Sequence, residues 1–142
     1  MGPRETMVLE WSFTAPPAAV WRGWTDPEMM RKWFGSDPKG VVLHAAVDLR
    51  IGGWYEVSFV NSDDTEYTCA GTYREVVPLS LLVFTWTWKD KPAAAELVTI
   101  RLEPAEAGTL MTFRHADIDP GTTHDYEAGW KRTFQKLARA LG

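Results

Sequence analysis

One long amphipathic helix at the carboxyl end is the feature that most limits how this chain can fold. Residues 122–141 carry apolar side chains at steps of three and four, which is the spacing of one helical face. The members of that face are Tyr126, Trp130, Phe134, Leu137 and Leu141. Thr122 followed by Asp125 predicts the amino-terminal cap. Because no other long amphipathic helix is predicted, this one has to cover whatever sheet the rest of the chain forms.

Most of the remaining chain has the period of two that is typical of β-strands. ETMVLEWSF, residues 5–13, predicts a first strand, and two short helices follow between Thr14, a candidate N-cap, and Gly35, which ends the second. Alternating residues between turn signals predict further strands at residues 41–51, 54–61, 66–76, 81–89, 94–103 and 108–115. The expected architecture is a single α+β domain, residues 1–142, in which a seven-stranded antiparallel sheet curls around the terminal helix.

The segment LLVFTWTWKD, residues 81–90, places large aromatic side chains on one face of a predicted strand. Phe84, Trp86 and Trp88 alternate with threonine and lysine residues that suit solvent. Two interpretations are open, since this aromatic face is either packed core or the wall of a cavity under the terminal helix. A sheet that curls away from a single covering helix leaves such a space. We therefore predict that at least Trp86 lines a cavity.

Other strand faces in the same phase add residues to the predicted interior, namely Tyr55, Val57, Phe59, Tyr67, Cys69, Gly71, Tyr73, Met111, Phe113 and His115. His115 is either a hydrogen-bonded structural residue at a strand end or a group that orients a ligand, since imidazole titrates near neutral pH. No carboxylate partner for it is apparent in the pattern. Trp33 and Phe34 either plug the open end of the curled sheet or form a mobile gate, and His124 is expected near the mouth.

Composition and charge narrow the classes of function. A net charge of −4 and a pI near 5.3 do not favour a nucleic-acid partner, which would need a basic patch. No apolar run approaches the roughly 18–20 residues of a membrane span. The single cysteine, Cys69, and the absence of a signal peptide predict a reducing, cytoplasmic setting. The spacing of His44, His115 and His124 fits no metal-ligand signature, and we expect no metal, no cofactor and no catalytic residue set.

Five stretches of the chain resemble one superfamily, and they occur in its order: FTAPPAAVWRGWTDPEMMRKWFG, DLRIGGWYEV, GTYREVVPLSLLVFTW, GTLMTFRH and HDYEAGWKRTFQKLARAL. They resemble the START-like (SRPBCC) superfamily with its helix-grip fold, and more closely the branch related to activators of the heat-shock-protein-90 ATPase. The resemblance implies a deep cavity between sheet and terminal helix for an apolar or amphipathic small molecule. Members of the superfamily include lipid and hormone binders, aromatic-polyketide cyclases, self-resistance proteins and the co-chaperone domain.

The expected function is therefore binding of an apolar or aromatic small molecule in that cavity. The predicted ligand-binding residues are Trp33, Phe34, Tyr55, Phe59, Tyr73, Phe84, Trp86, Trp88, Met111, Phe113, His115, Tyr126 and Trp130. Two alternatives stay open. One is an enzyme of the cyclase type, with His115 and Tyr55 or Tyr73 as acid and base, and the other is a stress-related regulator of a heat-shock-protein-90-type chaperone. Binding is favoured because the strand faces show no carboxylate pair or nucleophile–base set. A homodimer is also open.

Overall fold

The described part of the chain forms one antiparallel sheet and three helices. The structure, a computed structural model, describes residues 4–89, 95–120, 122 and 125–142. Its elements are β1 (Glu5–Phe13), α1 (Pro17–Thr25), α2 (Pro27–Met30), β2 (Val41–Val47), β3 (Trp54–Val60), β4 (Glu66–Val77), β5 (Leu81–Trp88), β6 (Glu96–Ala105), β7 (Gly108–Ile118) and α3 (Tyr126–Leu141). The strand order is β1-β7-β6-β5-β4-β3-β2, with every neighbouring pair antiparallel. The predicted α+β helix-grip architecture is confirmed.

The ends of several strands differ from the sequence prediction, and the differences follow from turns and pairing. β2 ends at Val47 and not at residue 51, because the chain turns between Asp48 and Gly53. β7 continues past residue 115 to Ile118, because Glu5 at the start of β1 pairs with that residue. The predicted start of the sixth strand at residue 94 and the predicted position of His124 both lie outside the described residues.

Glycines allow close approaches of the backbone at two places in the sheet. Gly52 has a φ of 82°, and a Cβ on Gly53 would lie 2.0 Å from the carbonyl oxygen of Asp48. These two glycines therefore form a tight bend between β2 and β3. A Cβ on Gly71 of β4 would lie 1.9 Å from the carbonyl oxygen of Thr85 on β5. Because no side chain can occupy that distance, Gly71 lets β4 and β5 lie against each other where the sheet curls.

Helix α3 begins later than the sequence predicts. Its N-cap is Asp125, whose Oδ1 accepts the N–H of Ala128 at 3.1 Å. Thr122, the predicted cap, lies before the helix, in a turn where its N–H donates to the carbonyl oxygen of Asp119 at 3.0 Å. The carboxylate of Asp125 is the better cap, because it also meets the positive end of the helix dipole.

Helix α1 also begins without the predicted cap. Its N-cap is Pro16, which makes no side-chain hydrogen bond, so Thr14 does not cap this helix. A proline follows in the first turn, where the backbone N–H has no partner within the helix, so its absence costs no hydrogen bond. The short helix α2 is capped by Asp26, whose side chain accepts the N–H of Glu28 at 3.0 Å. No helix within the described ranges is both long and apolar enough to cross a lipid bilayer.

Aromatic rings fill the middle of the space between the sheet and α3. The predicted apolar face of α3 is confirmed, with Tyr126, Trp130, Phe134 and Leu137 buried and Leu141 partly buried. Trp24 of α1 lies among them, with its ring centroid 4.7 Å from that of Trp33 and 6.1 Å from those of Phe113 and Trp130. The centre of the curled sheet is therefore packed core.

Candidate ligand-binding site

A pocket lies where the first turns of α3 meet strands β3 to β5 and the loop after α2. Its volume is about 250 Å³. The lining residues are Phe34, Gly35, Ser36, Phe59, Asn61, Tyr67, Trp86, Trp88, Asp125, Tyr126, Gly129, Trp130, Arg132 and Thr133. Seven of them carry aromatic rings. An aromatic wall with a few polar groups is the usual composition of a site for a small molecule.

The pocket contains part of the predicted ligand-binding set. Six predicted residues line it, namely Phe34, Phe59, Trp86, Trp88, Tyr126 and Trp130. Seven others are buried but do not line it, namely Trp33, Tyr55, Tyr73, Phe84, Met111, Phe113 and His115. Phe84 shows the reason, because its ring lies 5.1 Å from that of Tyr55 and 6.5 Å from that of Trp24. These side chains point inward as predicted, but helix side chains such as Trp24 fill the space in front of them.

Trp33 and Phe34 form a fixed end of the interior. The side chain of Trp33 is fully buried, and its indole N–H donates to the carbonyl oxygen of Gly23 at 2.8 Å. The ring of Phe34 stacks on that of Trp86, with centroids 5.9 Å apart and an angle of 15° between the planes. Of the two interpretations that the sequence left open, these contacts fit a plug better than a mobile gate.

The loop that follows Phe34 is bonded from two sides. From α3, the Nζ of Lys136 donates to the carbonyl oxygens of Gly35 at 3.1 Å and Asp37 at 2.9 Å, and burial lowers the pKa of this lysine. The carboxylate of Asp37 accepts the N–H of Ser62 at 2.8 Å and that of Lys39 at 2.9 Å. These hydrogen bonds, led by the one from the Ser62 backbone, lower the pKa of Asp37 to about 2. These hydrogen bonds thus hold the loop in place as one wall of the pocket.

His115 is buried, with a partner on each ring nitrogen. Its Nε2 lies 2.7 Å from Oε1 of Glu96, and its Nδ1 accepts the indole N–H of Trp130 at 3.1 Å. Because Nδ1 is an acceptor, the neutral ring carries its proton on Nε2 and donates it to the carboxylate. The expectation that His115 has no carboxylate partner is wrong. Glu96 is its diagonal neighbour across the β6–β7 pair, since His115 faces Val98, and only the strand register brings the two together.

Tyr126 extends this network to the pocket. Its hydroxyl accepts the indole N–H of Trp88 at 2.8 Å, and it is also hydrogen-bonded to Glu96. Burial alone would raise the pKa of Glu96, but hydrogen bonds from His115 and from the N–H of Asp119 outweigh it and lower that pKa. The carboxylate therefore stays ionised at neutral pH. Burial raises the pKa of Tyr126 well above its usual value, so the phenol stays protonated.

Two buried polar atoms of the lining have no hydrogen-bond partner in the described part of the chain. They are Nε1 of Trp86 and Oδ1 of Asn61. The side chain of Trp86 is close to fully buried, at 4% exposed. A buried donor or acceptor left without a partner costs about 1–3 kcal/mol. Both atoms would therefore gain from a hydrogen bond to a bound molecule.

The sequence prediction missed the small and polar part of the lining. Gly129 and Thr133 lie on the same face of α3 as Tyr126 and Trp130, at steps of three and four, so helical spacing was a signal that could have found them. Arg132 follows Gly129 by three residues and lies at the side of that face. Other residues outside the predicted binding set are Gly35, Ser36, Asn61, Asp125 and Tyr67, and of these only Tyr67 was assigned to the interior by its strand face. Most of these come from a loop, a turn and a strand that meet only in the folded chain.

Comparison with known proteins decides the family. Residues 14–142 match the model of the family described as activator of Hsp90 ATPase homolog 1-like protein. The chain belongs to this family. The resemblance inferred from the five sequence stretches is therefore confirmed. No curated protein matches the chain.

Several solved bacterial structures share the fold over almost the whole chain. A protein of Chromobacterium violaceum is 27% identical, with a TM-score of 0.84 and 98% of both chains covered. A protein of Nitrosomonas europaea is 28% identical, with a TM-score of 0.81, and 96% of this chain and 93% of that chain are covered. An AHSA1 protein of Silicibacter pomeroyi is 26% identical, with a TM-score of 0.81 and coverage of 96% and 97%. These three structures therefore share the architecture of this chain over almost its whole length.

Proposed function

We propose that this protein binds a small aromatic or apolar molecule in the pocket beside α3. The observation that carries the proposal is the buried indole N–H of Trp86, which has no partner among the described residues and belongs to an aromatic pocket lining. A ligand with an oxygen acceptor next to a ring would pair with this donor while its ring contacts the aromatic wall. The family implies binding or regulatory roles without naming a ligand, so the proposal of a small aromatic or apolar ligand is based on the pocket lining.

The aromatic wall is already arranged for such a ligand. The ring of Trp86 lies 5.2 Å from those of Trp88 and Trp130, in each case steeply inclined. The ring of Phe34 stacks on that of Trp86. The hydrogen bond between Trp88 and Tyr126 fixes a further part of the wall. Because these rings are held by the core, a ligand would find them ordered, and little conformational entropy would be lost on binding.

Several contacts favour binding without a chemical step. A cyclase-type mechanism would need an acid and a base at the pocket, for which His115 with Tyr55 or Tyr73 were the candidates. None of the three lines the pocket, and both nitrogens of His115 are already bonded. Burial raises the pKa values of Tyr55 and Tyr73 well above the usual range, so neither phenol is a base at neutral pH.

Titration calorimetry with 2-naphthol, a neutral two-ring molecule with one hydroxyl, tests the proposal. We expect saturable binding of one molecule per chain. Trp86→Phe keeps a ring but removes the N–H, and it should weaken binding about fivefold, the value of one net hydrogen bond. Trp54→Phe is the matched control, because Trp54 is 48% exposed and does not line the pocket. Native mass spectra of the freshly purified protein should show a co-purifying small molecule.

The proposal predicts a lower affinity for 2-naphthol in Trp86→Phe than in Trp54→Phe. If wild-type protein shows no saturable binding of 2-naphthol and carries no small molecule in native mass spectra, the pocket is not a binding site. The same conclusion follows if Trp86→Phe and Trp54→Phe change the affinity equally. Circular dichroism of both variants checks that the fold is retained.

A further inference from the structure

Arg132 brings a positive charge to the edge of this aromatic pocket. It lies on α3, borders the pocket and is exposed. Within the described residues it makes no ion pair. Two lysines of the helix differ, since Lys131 pairs with Glu127 at 3.2 Å and Lys136 is bonded to backbone carbonyls of the loop. The guanidinium of Arg132 is therefore available to an anion held in the pocket.

Asp125 is the acidic residue of the pocket lining. It lies too far along the helix to neutralise the charge of Arg132 at the other end of the opening. Its Oδ1 accepts the N–H of Ala128, so this carboxylate acts as the N-cap of α3 and compensates the positive end of the helix dipole. Arg132 lies two turns further along, about 10 Å along the helix axis. The pocket opening therefore has one acidic end, which is engaged in capping, and one basic end.

The size and wall of the pocket limit the rest of the ligand. Pockets for drug-sized ligands usually have about 300–1,000 Å³, and the volume here is about 250 Å³, so the ligand has one or two rings. The wall is mostly aromatic, which favours a planar ring over a flexible chain. The side chain of Asn61, with its unpaired Oδ1, offers a further polar contact for a ring substituent.

We propose that the pocket selects aromatic carboxylates, with the ring against the wall that contains Trp86 and the carboxylate paired with Arg132 at the opening. A guanidinium matches a carboxylate with two parallel hydrogen bonds, which a neutral group cannot reproduce. This inference rests on the proposed binding function and adds the charge and the shape of the ligand to it.

Calorimetry at low ionic strength distinguishes the preference for carboxylates from binding of any aromatic molecule. The two ligands are 2-naphthoate and its neutral isostere 2-naphthamide. The wild-type protein should bind the acid about fivefold more tightly than the amide, which is near the upper end for an exposed ion pair. Arg132→Gln should remove this preference by weakening only the acid, and Arg132→Lys should keep part of it. Arg139→Gln, at an exposed cation of the same helix outside the pocket, should change neither affinity.

Each outcome bears on a different claim. If the acid and the amide bind wild-type protein within twofold of each other, or if Arg132→Gln weakens both equally, the inference about carboxylates is wrong while the binding function stands. If neither compound binds, the inference is wrong, and the proposed function is also wrong if 2-naphthol does not bind and no small molecule co-purifies. The preference for the acid could also disappear equally in Arg132→Gln and Arg139→Gln. The acid would then be attracted by the overall positive charge of the helix, and the specific role of Arg132 would be wrong. Raising the salt concentration should reduce a genuine preference.

Discussion

Glu96 joins three parts of the molecule through one buried carboxylate. Its oxygens accept the Nε2–H of His115 on β7 and the N–H of Asp119, which follows β7, and Tyr126 of α3 is hydrogen-bonded to the same group. The side chain of Glu96 is almost completely buried. A buried carboxylate is tolerated only when such partners satisfy it. Glu96 is therefore a structural residue behind the pocket wall, and His115 is its partner and does not line the pocket.

Replacing Glu96 by glutamine should destabilise the protein in a pH-dependent way. One of the two oxygens becomes an NH2 donor that faces the N–H of His115 or that of Asp119, so we expect a loss of about 1–3 kcal/mol at pH 7. The pKa of Glu96 is lowered in the folded state from its ordinary value of 4.5, so its ionised form stabilises the fold fully above about that pH. As the pH falls below it, the unfolded chain binds the proton first and this stabilisation is lost.

Urea unfolding between pH 3 and pH 7 measures this effect. The difference between wild type and Glu96→Gln should be largest at neutral pH and should shrink as the pH approaches 3. Glu103→Gln is the control, since Glu103 lies exposed on the same strand. A difference that is constant across this pH range would show that the ionisation of Glu96 does not contribute to stability.

Helix α3 serves both the core and the pocket with residues of nearly the same face, and Trp130 belongs to both. Trp130 and Phe134 pack against the core, and the ring centroid of Trp130 lies 4.5 Å from that of Phe113. Gly129, beside Trp130, borders the pocket where the helix passes Ser36 of the loop. A glycine inside a helix costs about 0.5–1 kcal/mol relative to alanine, and here its missing side chain leaves room in the pocket.

Gly129→Ala should therefore raise stability and lower ligand affinity. The added Cβ would meet Cβ of Ser36 at 3.6 Å, which is ordinary contact, so the helix gains up to about 1 kcal/mol without a clash. The same methyl group narrows the pocket, so 2-naphthol should bind several-fold more weakly. Urea unfolding and calorimetry provide the two measurements. Gln135→Ala, at an exposed position of the same helix, should leave the affinity unchanged. Unchanged affinity in Gly129→Ala would show that the ligand does not occupy this part of the pocket.

At the scale of the whole molecule, the pocket exists because the loop after α2 is fastened to two distant parts of the chain. Lys136 of α3 bonds its carbonyl oxygens, and Ser62, in the turn between β3 and β4, bonds the carboxylate of Asp37. The ring of Phe34 then packs on Trp86 of β5. Helix, loop and sheet are thus tied at one end of the curved sheet, next to the packed aromatic centre.

Lys136→Met should loosen this loop while leaving the sheet intact. Methionine keeps most of the side-chain volume but cannot donate to the carbonyl oxygens of Gly35 and Asp37. Amide hydrogen exchange should become faster at Lys39, Gly40 and Ser62, whose N–H groups all donate to Asp37, and should stay slow in β6 and β7. Lys131→Met removes only an exposed ion pair with Glu127 and is the control. Equal exchange in both variants would mean that Lys136 does not hold the loop.

The local sequence determined the direction in which side chains point. Alternation along β5 placed Phe84, Trp86 and Trp88 on one face, and the steps of three and four in α3 defined its apolar stripe, because these periods depend only on backbone geometry. Such spacing was sufficient for the architecture and, with the five family-like stretches, for the family. Helix starts were less certain, since both Thr122 and Asp125 are residues that can cap.

Only the tertiary structure decided which inward-facing residues meet empty space. Phe84 and Trp86 share one strand face, yet Phe84 packs near Trp24 while Trp86 lines the pocket, because α1 fills the centre and not the end of the curled sheet. The pairing of Glu96 with His115 likewise depends on the register of β6 against β7. A period in the sequence gives the direction of a side chain. The volume in front of it depends on residues that are distant in the chain.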